Sequence, residues 1–172
     1  MSPFKQKLID LGACADALDW VGERTLEQAW AECDNLGWLE WVVCRLDLPK
    51  TEFVNLACRA ARSVLHLILE GEDRPRLAIE AAEKWLAEPT QENRHAAYAA
   101  ASAAYAAYAA SAAYAAYAAA SAAYAAYAAH AAYAAHAAAA SAAYALCETA
   151  AKACDKFRQF YPVELVKRGL GL

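Results

Sequence analysis

Residues Ala96 to Ala145 read AAYAAASAAYAAYAASAAYAAYAAASAAYAAYAAHAAYAAHAAAASAAYA: 35 Ala, nine Tyr, four Ser and two His, with no charge, glycine or proline. Alanine loses no side-chain entropy on entering a helix, and the nearest helix breakers, Pro89 and Pro162, lie outside the tract. The tract is therefore helical. It contains no Asp, Glu, Lys, Arg or Cys, so by itself it supplies no carboxylate pair, thiolate or phosphate clamp.

The larger side chains recur mostly every third position, from Tyr105, Tyr108, Ser111, Tyr114 and Tyr117 to Ser121, Tyr124, Tyr127, His130, Tyr133 and His136. Three residues advance about 300° round an α-helix, so the tyrosines spiral, and no heptad seam forms. Unbroken, 50 residues would make a rod of about 75 Å, far longer than a small domain is wide. The tract is expected to fold back into two or more packed helices, with Ser111, Ser121 or Ser141 as N-caps. Alanine faces allow close helix approach, and the phenols are expected to supply most of the tract's packing.

The uncharged run is long enough for a membrane span, but Leu, Ile, Val, Phe and Trp are absent between His95 and Leu146, so no membrane insertion is expected. Disorder does not fit the tyrosine content, and the spiral lacks the single flat row an ice-binding helix needs.

Outward from the tract, residues 1–94 read as amphipathic helices, 95–161 as the Ala/Tyr-rich helical region and 162–172 as a C-terminal tail, all in one domain. Phe4, Leu8, Leu11, Ala15 and Leu18 keep helical spacing and lead to Trp20 and Val21. Thr25 and Gln28 have the spacing of a capping box. Asn35-Leu36-Gly37 reads as a stop or turn. Pro49 ends the next element, with Thr51 as cap for a helix whose core face is Phe53, Ala57, Ala60, Val64 and Ile68. Pro75 suits a helix start, and Pro89-Thr90 restarts the chain with Glu92 near the new N-terminus. No segment alternates with a strand period. The fold class is all-α, a compact multi-helix bundle.

Net charge is −4 and uneven: residues 1–94 carry 11 basic and 17 acidic side chains, residues 148–172 five and three. A nucleic-acid polymer asks for a basic stripe, so none is expected as partner. Six cysteines without a CxxC pair, and no secretory leader, point to reduced, mostly buried thiols in a cytoplasmic protein.

Ala13-Cys14-Ala15-Asp16-Ala17-Leu18-Asp19-Trp20, Ala29-Trp30, and Gly37-Trp38-Leu39-Glu40-Trp41-Val42-Val43-Cys44 resemble the opening of the bacterial and phage family of immunity proteins. So do Leu56-Ala57-Cys58-Arg59-Ala60-Ala61, Arg76-Leu77-Ala78-Ile79-Glu80-Ala81-Ala82 and the Ala-rich repeat ending in Phe160-Tyr161-Pro162. Tracts in that family intersperse Arg, Trp and Asp; this one does not. The resemblance implies a protein that neutralises a toxin or effector by binding, and carries over no particular functional residue.

For chemistry, His130 and His136 are six apart, about 240° round a helix, so they share no metal face, and no metal or cofactor is expected. GxSxG and Gly-rich phosphate loops are absent, and the chain is not expected to be an enzyme. Arg59, Arg62 and His66, at spacings of three and four, would share one face and could fork onto phosphate or carboxylate oxygens, or simply pair with nearby acids. Tyr98, Tyr105 and Tyr108 are the rings nearest in sequence to such a site and could stack on a base.

Two functions follow. One is a non-catalytic immunity-type inhibitor with a protein toxin or effector as partner, its tryptophans serving as anchors. The alternative is a phage counter-defence sponge that sequesters a small nucleotide signal without cleaving it. Self-association into a homo-oligomer through the Ala-lined faces is a further expectation.

Overall fold

A computed structural model describes residues 1–68, 70–108, 117, 118, 121–123, 125, 131–146 and 150–172. Among these the protein is all-α, with packed helices and no strand. The helices are α1 (Pro3–Asp10), α2 (Ala15–Val21), α3 (Leu26–Glu32), α4 (Leu36–Val43), α5 (Lys50–Arg62), α6 (Arg74–Ala87), α7 (Gln91–Tyr108), α8 (Ala131–Leu146), α9 (Ala150–Phe160) and α10 (Val163–Leu170), with a 3-10 turn at Leu65–Leu67. Helix α7 packs on α6, α6 on α5, and α5 on α8. Helix α9 then joins α8 to α4, while α10 lies on α3 and α1 on α2.

The alanine tract divides as its length requires. Its first part continues α7 against α6, and its last part forms α8 between α5 and α9. Helices α5 and α8 pack on each other, and Ala57, Ala60 and Ala61 on the first and Ala138, Ala139, Ala142 and Ala143 on the second are all fully buried. Methyl-lined faces let two helix backbones approach closely. The buried tract side chains among the described residues are alanines with Ser121 and Ser141, and the packing expected of the phenols falls mostly on rings outside the described residues. Tyr98 is exposed and Tyr117 half-buried, while the other tract tyrosine rings lie outside the described residues.

Several boundaries differ from the sequence reading. The stripe from Phe4 to Leu18 is two helices, because the chain turns at Gly12, whose φ of 78° favours glycine. Asn35 starts a helix rather than ending one: its side chain accepts the Trp38 amide at 3.2 Å, and Gly37 lies inside α4. Pro49, not Thr51, occupies the cap position of α5, which begins at Lys50. Ser141 is buried in the interior of α8, and Ser121 is helical and buried, so neither caps a helix; Ser111 lies outside the described residues. Residues 162–172 are no mere tail, since α10 inserts Val166 and Leu170 into the core. The capping box at Thr25 is present, with Thr25 and Gln28 satisfying each other's amides. The Thr90 side chain likewise accepts the Asn93 amide at the start of α7.

The two ends of the chain are tied together. Trp30 Nε1 donates to the Tyr161 carbonyl at 3.0 Å, and the Arg158 guanidinium donates to the carbonyls of Trp30 and Cys33 at the end of α3. The Tyr161 ring stacks on Phe157 at 5.0 Å. At Gly169 the α10 backbone meets Leu46, and the Asp47 amide donates to its carbonyl at 2.8 Å. These links tie α3 and the end of α4 to the C-terminal helices.

Candidate functional site: a tryptophan-walled cleft

Helices α1 to α4 enclose a cavity of about 270 Å³. Phe4 and Leu8 form its floor, and Trp20, Trp30, Trp38 and Trp41 its walls. The helix geometry explains why. In α2, Ala17, Trp20 and Val21 fall on one side at spacings of three and four, and in α4 Trp38, Trp41 and Val42 do the same. Phe4, Leu8, Trp30 and Cys33 are buried, whereas Trp20, Trp38 and Trp41 remain half-buried, so the rings line the opening.

The Trp20 and Trp38 rings stand 5.8 Å apart and tilted by 55°. A guanidinium covers each of two walls: Arg24 lies 4.7 Å from the Trp20 ring centre, and Arg45 lies 3.6 Å from that of Trp41. The arrangement repeats, with arginine four residues after tryptophan. In each case the arginine also donates to the tryptophan's own carbonyl, a helix-end acceptor that has no amide left to pair with. Arg24 Nε in addition reaches Glu32 at 2.9 Å. Each such cation–π pair is worth about 0.5–1 kcal/mol at an exposed site and restrains the ring it covers. The Cys33 thiol, on the inner wall, is held neutral by burial, which raises its pKa. Cys14 sits at the rim and is exposed and Cys44 is half-buried, while Cys33, Cys58 and Cys154 are buried, so most of the described thiols lie inside as expected. Cys147 lies outside the described residues.

The arginine face expected from the sequence is only partly assembled. Arg59 and Arg62 share an open cleft with Asn55, Ser63 and Glu83. Helix α5 ends at Arg62, and His66 falls in the 3-10 turn, so the four-residue step that would align it is lost. The Arg62 fork is already filled: Nε and Nη2 bind the two Glu83 oxygens at 2.9 and 2.5 Å. That carboxylate and fork raise the Arg62 pKa further. Of the two arginines, Arg59 is exposed and makes no ion pair among the described residues. Tyr98 is exposed on α7, and the side chains of Tyr105 and Tyr108 lie outside the described residues. Neither the metal reading nor a membrane reading gains support: no group of metal-ligating side chains occurs among the described residues, and none of the described helices is long and apolar enough to cross a membrane.

The convergence of Trp20, Trp30, Trp38 and Trp41 on one space is not legible in the sequence. The visible signal was the repeated Trp-x-x-x-Arg spacing at Trp20/Arg24 and Trp41/Arg45.

Residues 43–166 match a family of unknown function (DUF6931), and the chain belongs to that family. The match begins at Val43, one residue past Val42, the last residue lining the cleft. No curated protein and no solved structure matches the chain.

Proposed function

We propose, for a member of a family without an assigned activity, that this chain is a non-catalytic immunity-type inhibitor: it neutralises a toxin or effector protein by stoichiometric binding, in the cytoplasm, with the tryptophan cleft as its anchor site. The observation that carries this reading is the cleft itself. Tryptophan and arginine are the residue types most enriched where binding energy concentrates, and they act best in concave, well-packed settings. Here three half-buried tryptophans converge on one opening, and two of them are braced by arginine. The resemblance of residues 13–44 to immunity proteins supports the same assignment, and the free thiols of Cys14, Cys33, Cys58 and Cys154 support a reducing compartment.

The nucleotide-sponge reading has less behind it. It needs paired cationic forks open to a phosphate, and Arg62 is already bound by Glu83.

The test is neutralisation. The chain, co-expressed with each toxin encoded beside it in its native host, should restore growth and purify with that toxin at one to one. Trp38→Ala should weaken the complex by about 2 kcal/mol or more, roughly 30-fold, as an anchor truncation does. If no toxin is neutralised, the inhibitor reading fails. If Trp20→Ala/Trp38→Ala, shown folded by circular dichroism, neutralises as well as the parent, the cleft is not the anchor.

A further inference from the structure

The proposed contact surface also constrains what it contacts, and the following rests on that reading. None of the side chains lining the cleft is charged. A charged group entering it would give up hydration with no partner in return. A cation is further disfavoured, because the Trp20 and Trp41 rings already hold Arg24 and Arg45, whose charge would repel a second cation at the same ring. An uncharged ring meets no such penalty, and the tilted Trp20 and Trp38 walls offer it both a face and an edge.

The surroundings have the opposite character. Residues 1–45, which include the wall arginines Arg24 and Arg45, carry eight acidic and four basic side chains. Glu23, Glu27 and Glu32 are taken up by the Met1 amino group, Lys167 and Arg24. Asp16 and Asp19, beside the wall residues Ala17 and Trp20, and Asp34, next to Cys33, are exposed and form no ion pair among the described residues. Unneutralised acids flank an uncharged cavity, so complementarity asks for an apolar anchor set in a basic field.

From this charge pattern we infer that the cleft receives one uncharged aromatic side chain presented by a lysine- or arginine-rich segment of the partner protein. The anchor supplies the buried contact, and the flanking cations meet Asp16, Asp19 and Asp34.

Three capped pentapeptides test it against the full chain: Phe between two pairs of Lys, Ala in the same setting, and Phe between two pairs of Glu. The readout is the shift of the Trp20 and Trp38 indole N–H resonances on titration. The Phe/Lys peptide is expected to bind at millimolar concentration, and the other two at least tenfold more weakly. Asp16→Asn/Asp34→Asn, a surface change away from the core, should reduce the advantage of Lys over Glu while leaving the Phe preference in place. A Phe/Glu peptide that binds as well as Phe/Lys overturns the basic field. An Ala/Lys peptide that binds equally overturns the aromatic anchor, and silence from all three overturns both. The two readings fail separately: the peptide preferences can hold with no toxin neutralised, which sinks only the immunity reading, and a toxin can be neutralised with no peptide preference, which sinks only this one.

Discussion

Trp30 shows how much a single buried polar atom can matter. Its Nε1–H is the donor for the Tyr161 carbonyl, 131 residues away, in the buried core. Trp30→Phe would keep most of the ring and leave that carbonyl without a partner, which costs about 1–3 kcal/mol. A urea midpoint unchanged from the parent would refute this. The thiols give a pH dependence with a definite sign. Burial pushes the Cys58 thiol from its ordinary 9.0 up to about 12 and that of Cys44 up to about 11. Below pH 9 both thiols are neutral, folded or unfolded, and their contribution is fully present. Between that pH and the folded values the unfolded chain binds fewer protons, so stability falls as pH rises. At about 1.4 kcal/mol per pH unit for each group, Cys58 accounts for about 2 kcal/mol of loss by pH ~10.5. Cys58→Ala should make the stability curve shallower by that amount, whatever its effect at neutral pH. Local devices at this scale are legible in a sequence: the Thr25 box needs only partners three residues apart. The Arg62–Glu83 fork was not legible, since its acid lies 21 residues away on α6.

Among the helices, the tightest constraint is at Gly169. A Cβ there would stand 2.8 Å from the Leu46 Cβ, where α10 crosses the α4–α5 connection. Intrinsic propensity favours Gly→Ala in a helix by about 1 kcal/mol, but forcing two side chains together in a packed site costs about 1–3 kcal/mol. Leu46 is 6% exposed and cannot simply swing into solvent. Gly169→Ala is therefore expected to lower the melting temperature, and a rise would show that α10 is free to shift. The α5–α8 contact makes the same point with alanine. Ala142 is fully buried on α8, which packs on α5, so Ala142→Leu should destabilise by about 1–3 kcal/mol, measured by urea unfolding; a neutral result would mean that the packing round α8 can give way. The helical character of both segments follows from composition alone, yet their ends do not. No glycine or proline lies between Phe53 and Ile68, and α5 stops at Arg62 all the same. That early end displaced His66 from the expected face, because a 3-10 turn advances at a different angle from an α-helix.

Across the whole molecule, the cleft depends on residues far from it. Trp20, Trp38 and Trp41 could be read as parts of apolar stripes, but their convergence is tertiary: it requires α1 to α4 to fold round one space, and periodicity within a helix carries no information about that. The C-terminal helices hold this arrangement from beneath. Lys167 pairs with Glu27 at 2.8 Å, Arg168 pairs with Glu52, and the Asp47 amide is held by the Gly169 carbonyl. The ion pairs are exposed and contribute little; the buried side chains matter more. Val166 and Leu170 are 0% and 2% exposed, and burying two such residues is worth about 3–6 kcal/mol together. Total domain stability is typically about 5–15 kcal/mol. Deleting residues 162–172 should therefore cost a large fraction of the total, and the loss should reach the cleft, because α10 packs on α3, which carries Trp30. The expected result is a lower urea midpoint seen equally by helical circular dichroism and by tryptophan fluorescence. A truncated chain whose helical signal weakens while the tryptophan transition stays at the parent's midpoint would show that the cleft stands without α10. The anchor site would then belong to the first four helices alone.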